Sequence, residues 1–153
     1  PYTYRVNGEV HEVSYQPAES RSRMFGGNSN WRGPVWLPMN FLLVQALDSY
    51  ARFLGDTFTV PDPTDASRMI TLGEVGEQVA RRLTGLVVRD ADGRRAIHAD
   101  NDYFQNDPYW RDLVPFHEYF DGDTGRGLGA SHQTGWTATI ALLLQFRGRL
   151  RFD

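Results

Sequence analysis

The stretch LPMNFLLVQALDSYARFL, Leu37 to Leu54, decides the architecture. Its polar positions Gln45, Asp48, Ser49 and Arg52 fall on one narrow helical stripe, which leaves apolar groups around most of the circumference. The spacing predicts a helix covered by neighbours on several sides. Downstream, Thr71-Leu72-Gly73-Glu74 matches a capping box. Leu72, Val75, Val79, Leu83 and Leu86 then recur at helical spacing opposite Glu74, Gln78, Arg81 and Arg82, predicting a second helix with one wet face. Pro61, Asp62, Pro63 and Asp65 mark a loop between the two, and Gly135 to Phe146 reads as a further, strongly apolar helix. Upstream, Tyr4 and Val6, then Val10, Val13 and Tyr15, alternate in the strand period about Asn7-Gly8, the dipeptide of a tight hairpin turn. The expected plan is mainly α with a short N-terminal β-hairpin, and long aromatic loops at corresponding ends of the helices.

Composition removes several classes of chemistry. The chain has 153 residues, enough to bury one core, and a net charge of only -3 with no basic run interleaved with aromatics, so nucleic acid is not an expected partner. All 16 basic residues are arginines, which excludes a Schiff-base lysine and favours forked recognition of carboxylates or stacking on rings. Without cysteine there is no disulfide, thiolate nucleophile or Cys-ligated zinc. The apolar run Ala138 to Leu144 is far too short to span a membrane. Pro1 replaces an initiating Met, and the expectation is a piece of a larger polypeptide.

Motifs for other chemistries fail on spacing. Asp90-Ala91-Asp92-Gly93 opens like a calcium loop but lacks the closing acidic residue. Gly125-Arg126-Gly127-Leu128-Gly129 has neither a preceding strand signal nor a following Lys-Ser or Lys-Thr, and no serine sits in a Gly-x-Ser-x-Gly elbow. His117-Glu118 lacks the second histidine of a zincin, and no metal or other cofactor is expected. What remains is carboxylates, aromatic rings and arginines gathered in loops, a combination suited to sugars. Trp31, Arg32 and Trp36 flank the turn Gly33-Pro34, where two indoles and a guanidinium either meet one ligand or staple the loop to the helix behind it. Glu118, between His117 and Tyr119 and ahead of Asp121 and Asp123, reads either as a desolvated general base or as the partner of an arginine.

Two segments taken together resemble glycoside hydrolase family 63, which includes the processing α-glucosidase I of eukaryotes and bacterial homologues acting on glucosides or mannosylglycerate. They are Asn30-Trp31-Arg32-Gly33-Pro34-Val35-Trp36, and Glu118-Tyr119 through Gly125-Arg126-Gly127 to Gly135-Trp136-Thr137. The resemblance runs from about residue 15 to 146 and implies the C-terminal part of an (α/α)6 toroid, with residues 1–153 forming a partial catalytic domain. It implies Glu118 as the general base and Trp31 to Pro34 as pocket lining, with Trp136 matching a further pocket residue. Trp36, His117 and Tyr119 join them as candidate substrate contacts, and Arg32 and Arg126 as groups that orient hydroxyls or the base. The family's general acid is an Asp well upstream of the first motif, in a region this chain does not include, so the chain alone is expected to be inert. His117 and Thr134 depart from the more hydrophobic neighbours of the eukaryotic branch.

The resemblance thus implies an enzyme part acting on an oligosaccharide or a small glucoside or mannoside, completed by the remainder of its catalytic domain. The rival from another class is a noncatalytic carbohydrate-binding or scaffold module in which Glu118 is structural. Helix faces left bare by a partial toroid predict self-association.

Overall fold

The computed structural model describes residues 1–21 and 33–149, with side chains as far as 145. The N-terminal hairpin forms where the alternation places it: β1 (Tyr2–Val6) pairs antiparallel with β2 (Glu9–Val13), with Tyr4 opposite His11. Asn7 and Gly8 between them both take positive φ, 51° and 86°, as a two-residue turn of this hand requires.

Helix α1 (Leu37–Leu54) starts with Pro38 in its first turn, where the missing N–H costs nothing, and stops at Gly55, whose φ of 72° an L side chain resists. It buries Leu37 and Val44, but Met39, Leu42, Leu43 and Tyr50 are exposed and Phe53 is 83% exposed. The ring of neighbours expected around this helix is therefore present on one side only among the described residues. That side is α2 (Leu72–Gly85), which packs on α1 and in turn on α5 (Ile140–Arg149). Gly76 allows the approach of the first two helices: a Cβ there would sit 3.5 Å from Leu47 Cβ. Leu37, Val44, Ala80, Leu83, Phe120 and Leu143 share the resulting core. The predicted capping box is formed, with Thr71 Oγ1 accepting from the Glu74 N–H at 3.2 Å and Glu74 Oε2 accepting from the Thr71 N–H at 2.7 Å.

The structure differs from the sequence reading in two elements. The Pro- and Asp-rich stretch is a second hairpin, β3 (Thr59–Asp62) on β4 (Asp65–Thr71), rather than a loop. Pro61 is tolerated because a two-stranded sheet has only edges, and the strands bury little beyond Ile70 and Asp62, so no apolar alternation announces them. The helix expected from Gly135 is broken into α4 (Thr134–Thr137) and α5, and Thr139 Oγ1 at the break donates to the Trp136 carbonyl at 2.8 Å. Between α2 and α4 lie a 3-10 turn (Ala96–His98), the short helix α3 (Asp102–Asn106), and the pair β5 (Tyr119–Phe120) and β6 (Gly127–Leu128). Mainly helical architecture with small antiparallel sheets is thus observed. No described helix is long and apolar enough to cross a membrane.

Asp62 fastens the second hairpin to α2. Its carboxylate is buried and accepts from the Thr64 N–H and hydroxyl, both at 2.8 Å, and from Gln78 Nε2 at 3.0 Å, and it pairs with Arg68 at 3.0 Å. The Thr64 N–H, then its hydroxyl, hold the carboxyl down from 3.8 to about 2, against the opposing effect of burial. The unfolded chain takes up this proton first, so the stability Asp62 contributes is complete above about pH 4 and is lost as pH falls towards about 2. Urea unfolding at about pH 6 and about pH 3 should show wild type losing more stability between them than Asp62→Asn; equal losses would contradict this role.

Candidate active site

Val35 and Phe120 bring the two sequence motifs together. The Val35 N–H donates to the Phe120 carbonyl at 2.8 Å and the Phe120 N–H returns the bond to Val35 at 3.0 Å, so Val35 lies along one edge of β5 while β6 lies along the other. The connection from β5 to β6 is a closed turn: Asp121 Oδ1 accepts from the N–H groups of Asp123 and Thr124, each at 2.9 Å, and Gly125 adopts φ 76°. Burial pushes the Asp121 carboxyl up, but the N–H groups of Thr124 and Asp123 outweigh it and hold the group below its ordinary value. Gly33 and Gly122 are packing glycines: a Cβ on Gly33 would overlap the Gln16 carbonyl, and one on Gly122 would overlap the Gly33 carbonyl. The Gly122 N–H closes this crossing by donating to Pro17 at 2.7 Å.

Alternation along β5 gives its residues opposite destinations. Tyr119, with Leu128 opposite, enters a separate aromatic cluster in which its ring stacks on Trp36 at 4.6 Å, and Trp36 meets Trp136 at 5.5 Å. Phe120, opposite Gly127, enters the main core. The structure thus places Trp36, Tyr119 and Trp136 in one cluster; Trp31 and Arg32 lie outside the described residues.

Glu118 immediately precedes this strand and is half-buried. Its N–H donates to the Ala130 carbonyl at 2.8 Å, and its Oε2 accepts from the Ala130 N–H at 3.2 Å. Among the described residues no arginine forms an ion pair with it. Gly129, at φ 66°, passes directly over the carboxylate: a Cβ there would stand 2.7 Å from Glu118 Oε2 and 2.7 Å from Tyr119 Cε1.

His117 and Arg126 are placed elsewhere. The His117 ring lies flat against Gly127, where no side chain fits, and its backbone carbonyl accepts from Thr137 Oγ1. Burial, followed by the nearby His132, pushes the imidazole below its ordinary pKa. Both His117 and Arg126 line a cleft of about 410 Å³ with His98, Asn101 and Phe104, whereas Trp36, Glu118, Tyr119 and Trp136 are not among its walls. Sequence reasoning missed His98 and Asn101 because neither sits in a motif. It also missed Gln105, a buried amide that accepts from the Arg95 N–H at 3.0 Å, donates to the Arg95 and Ala99 carbonyls, and so shapes the turn carrying His98. Asp90, considered for calcium, has an oxygen that accepts from the Asp92 and Arg94 N–H groups of its own turn. Among the described residues no group of three or more His, Cys, Asp or Glu is arranged to hold a metal ion.

Glu118 thus precedes a strand whose first residue packs, buried, in a cluster of two indoles and a phenol. The chain belongs to the family of mannosylglycerate hydrolase MGH1-like glycoside hydrolase domains, whose model matches residues 8–137, and it is a glycoside hydrolase family 63-like sequence. It is 52% identical over 143 residues to an uncharacterized protein of Saccharomyces cerevisiae, which covers 92% of this chain and 13% of that protein. A "Probable mannosyl-oligosaccharide glucosidase" of Schizosaccharomyces pombe is 26% identical over 118 residues, 77% of this chain and 11% of the relative. "Alpha-glucosidase 2" of Arabidopsis thaliana is 27% identical over 114 residues, 74% and 11% respectively. The chain therefore spans a small fraction of the length of each. No solved structure matches it.

Gly129 offers a direct test of how the loop holds Glu118. Gly129→Ala adds a Cβ in contact with the carboxylate at a left-handed φ, a strain of roughly 1–2 kcal/mol before any displacement. Thermal unfolding of the variant should shift down accordingly and its crystal structure should show Glu118 moved; an unshifted Glu118 would remove the contact from consideration.

Proposed function

We propose that this chain forms part of the catalytic domain of an inverting glycoside hydrolase acting on an α-glucoside or mannoside, with Glu118 as the general base. The observation that carries the reading is the Val35–Phe120 pairing, which sets Glu118 at the end of the strand whose next residue stacks on Trp36. In this reaction Glu118 takes a proton from water as the water oxygen attacks the anomeric carbon. The bond to the glycosidic oxygen breaks, and a carboxylic acid from the remainder of the domain delivers the proton to that oxygen. The two carboxyl groups stand roughly 6.5–9.5 Å apart to admit the water. Trp36, Tyr119 and Trp136, with Trp31, Arg32 and Gly33, shape the pocket. In the full-length protein, Glu118→Gln should lower turnover at least about a hundredfold with the fold retained by circular dichroism; turnover within a few fold of wild type would sink the assignment.

The Ala130 contact also favours a second reading, a noncatalytic carbohydrate-binding or scaffold module in which Glu118 only fastens its loop. That reading expects glycan binding, no turnover, and no loss of binding in Glu118→Gln.

The bare apolar face of α1 fits a helix that belongs inside an (α/α)6 toroid, covered by the remainder of the domain. Separated from that remainder, the chain should self-associate in sedimentation, and Leu42→Glu with Phe53→Glu should reduce the association. A strictly monomeric wild-type chain would count against this placement.

A further inference from the structure

We infer that the cleft lined by His98, Asp100, Asn101, Phe104, His117 and Arg126 is a second sugar-binding site, taking one pyranose ring of a glycan at a place separate from Glu118.

Its volume, about 410 Å³, lies within the range of small-ligand pockets. The lining balances donors and acceptors. Asp100 is fully exposed and pairs with Arg94 at 3.5 Å, so its charge is balanced, and Arg126 opposes a bound cation. A neutral ligand carrying several hydroxyl groups uses both. The two imidazoles favour the same chemistry. The His98 side chain is buried, its ring bonds to the Leu113 backbone, and its Nε2 has no hydrogen-bond partner; His117 Nδ1 is likewise buried without a partner. With the other nitrogen donating to the Leu113 carbonyl, neutral His98 leaves Nε2 as an acceptor, the complement of a hydroxyl donor. Burial, then Arg95, lowers the pKa of this ring and so favours its neutral form.

An apolar wall completes the site. Phe104, which stacks on His98 at 5.3 Å, forms it with Ile97 and Pro115. An apolar wall beside forked polar groups is an ordinary means of holding a pyranose. This cleft lies with the Gly127 side of β5 and β6, and the Trp36 cluster with the Tyr119 side, so occupancy of one does not require the other.

The test uses full-length protein carrying Glu118→Gln, with methyl α-D-glucopyranoside and methyl α-D-mannopyranoside as probes. Crystals soaked at saturating concentration should show a pyranose in the cleft with a hydroxyl on His98 Nε2. Titration should show that site weakened about tenfold by His98→Phe and by Asp100→Ala, each removing one hydrogen bond. Asp100 is on the surface, so its variant remains informative if His98→Phe does not fold. A cleft holding only water at saturation, or unchanged affinity in a folded variant, overturns the inference. Neither result depends on turnover, so the hydrolase reading stands or falls separately.

Discussion

Two hydrogen bonds, given and returned between Val35 and Phe120, are what the rest of the site depends on. They join the approach to α1 to the loop before α4, and no local signal connects these segments. Because the pairing is antiparallel and only a few residues long, it fixes both register and facing at once. Tyr119 must turn towards Trp36 and Phe120 towards the helices. The helical core holds this arrangement from behind through Leu37, which follows Trp36 directly.

The loop from Glu118 to Ala130 is correspondingly rigid. Its ends are bonded to one another, its turn is tied by the Asp121 carboxylate, and its glycines stand where ring, carboxylate or backbone leaves no room for a Cβ. The glycine-rich sequence that looks superficially like a phosphate loop has a packing explanation: Gly127 accommodates the His117 ring and Gly129 accommodates Glu118.

Local signals made part of this fold legible. Asn7-Gly8, the Thr71–Glu74 box and the bounds of α1 can be read from the chain because each is decided within a few residues. The β3–β4 hairpin was not legible, since its strands bury too little to alternate, and the break at Thr139 depends on one hydroxyl bonding backwards. Family resemblance joined Trp36, Glu118, Tyr119 and Trp136 with His117 and Arg126 in one expected site, and the structure sets the last two apart from the others. Both line a cleft with residues from the 3-10 turn and α3 that no motif marks.

The interval between residues 118 and 130 is closed on itself, whereas the segment from α2 to Pro115 is bounded by turns that face solvent. Changes in chain length are therefore unequal in their effects. An insertion near Asp92 only lengthens a turn. One extra residue between Glu118 and Phe120 would exchange the two faces of β5, sending an aromatic ring into the helical core and a core residue towards the indoles. Length variation in this domain has room in the first region and almost none in the second.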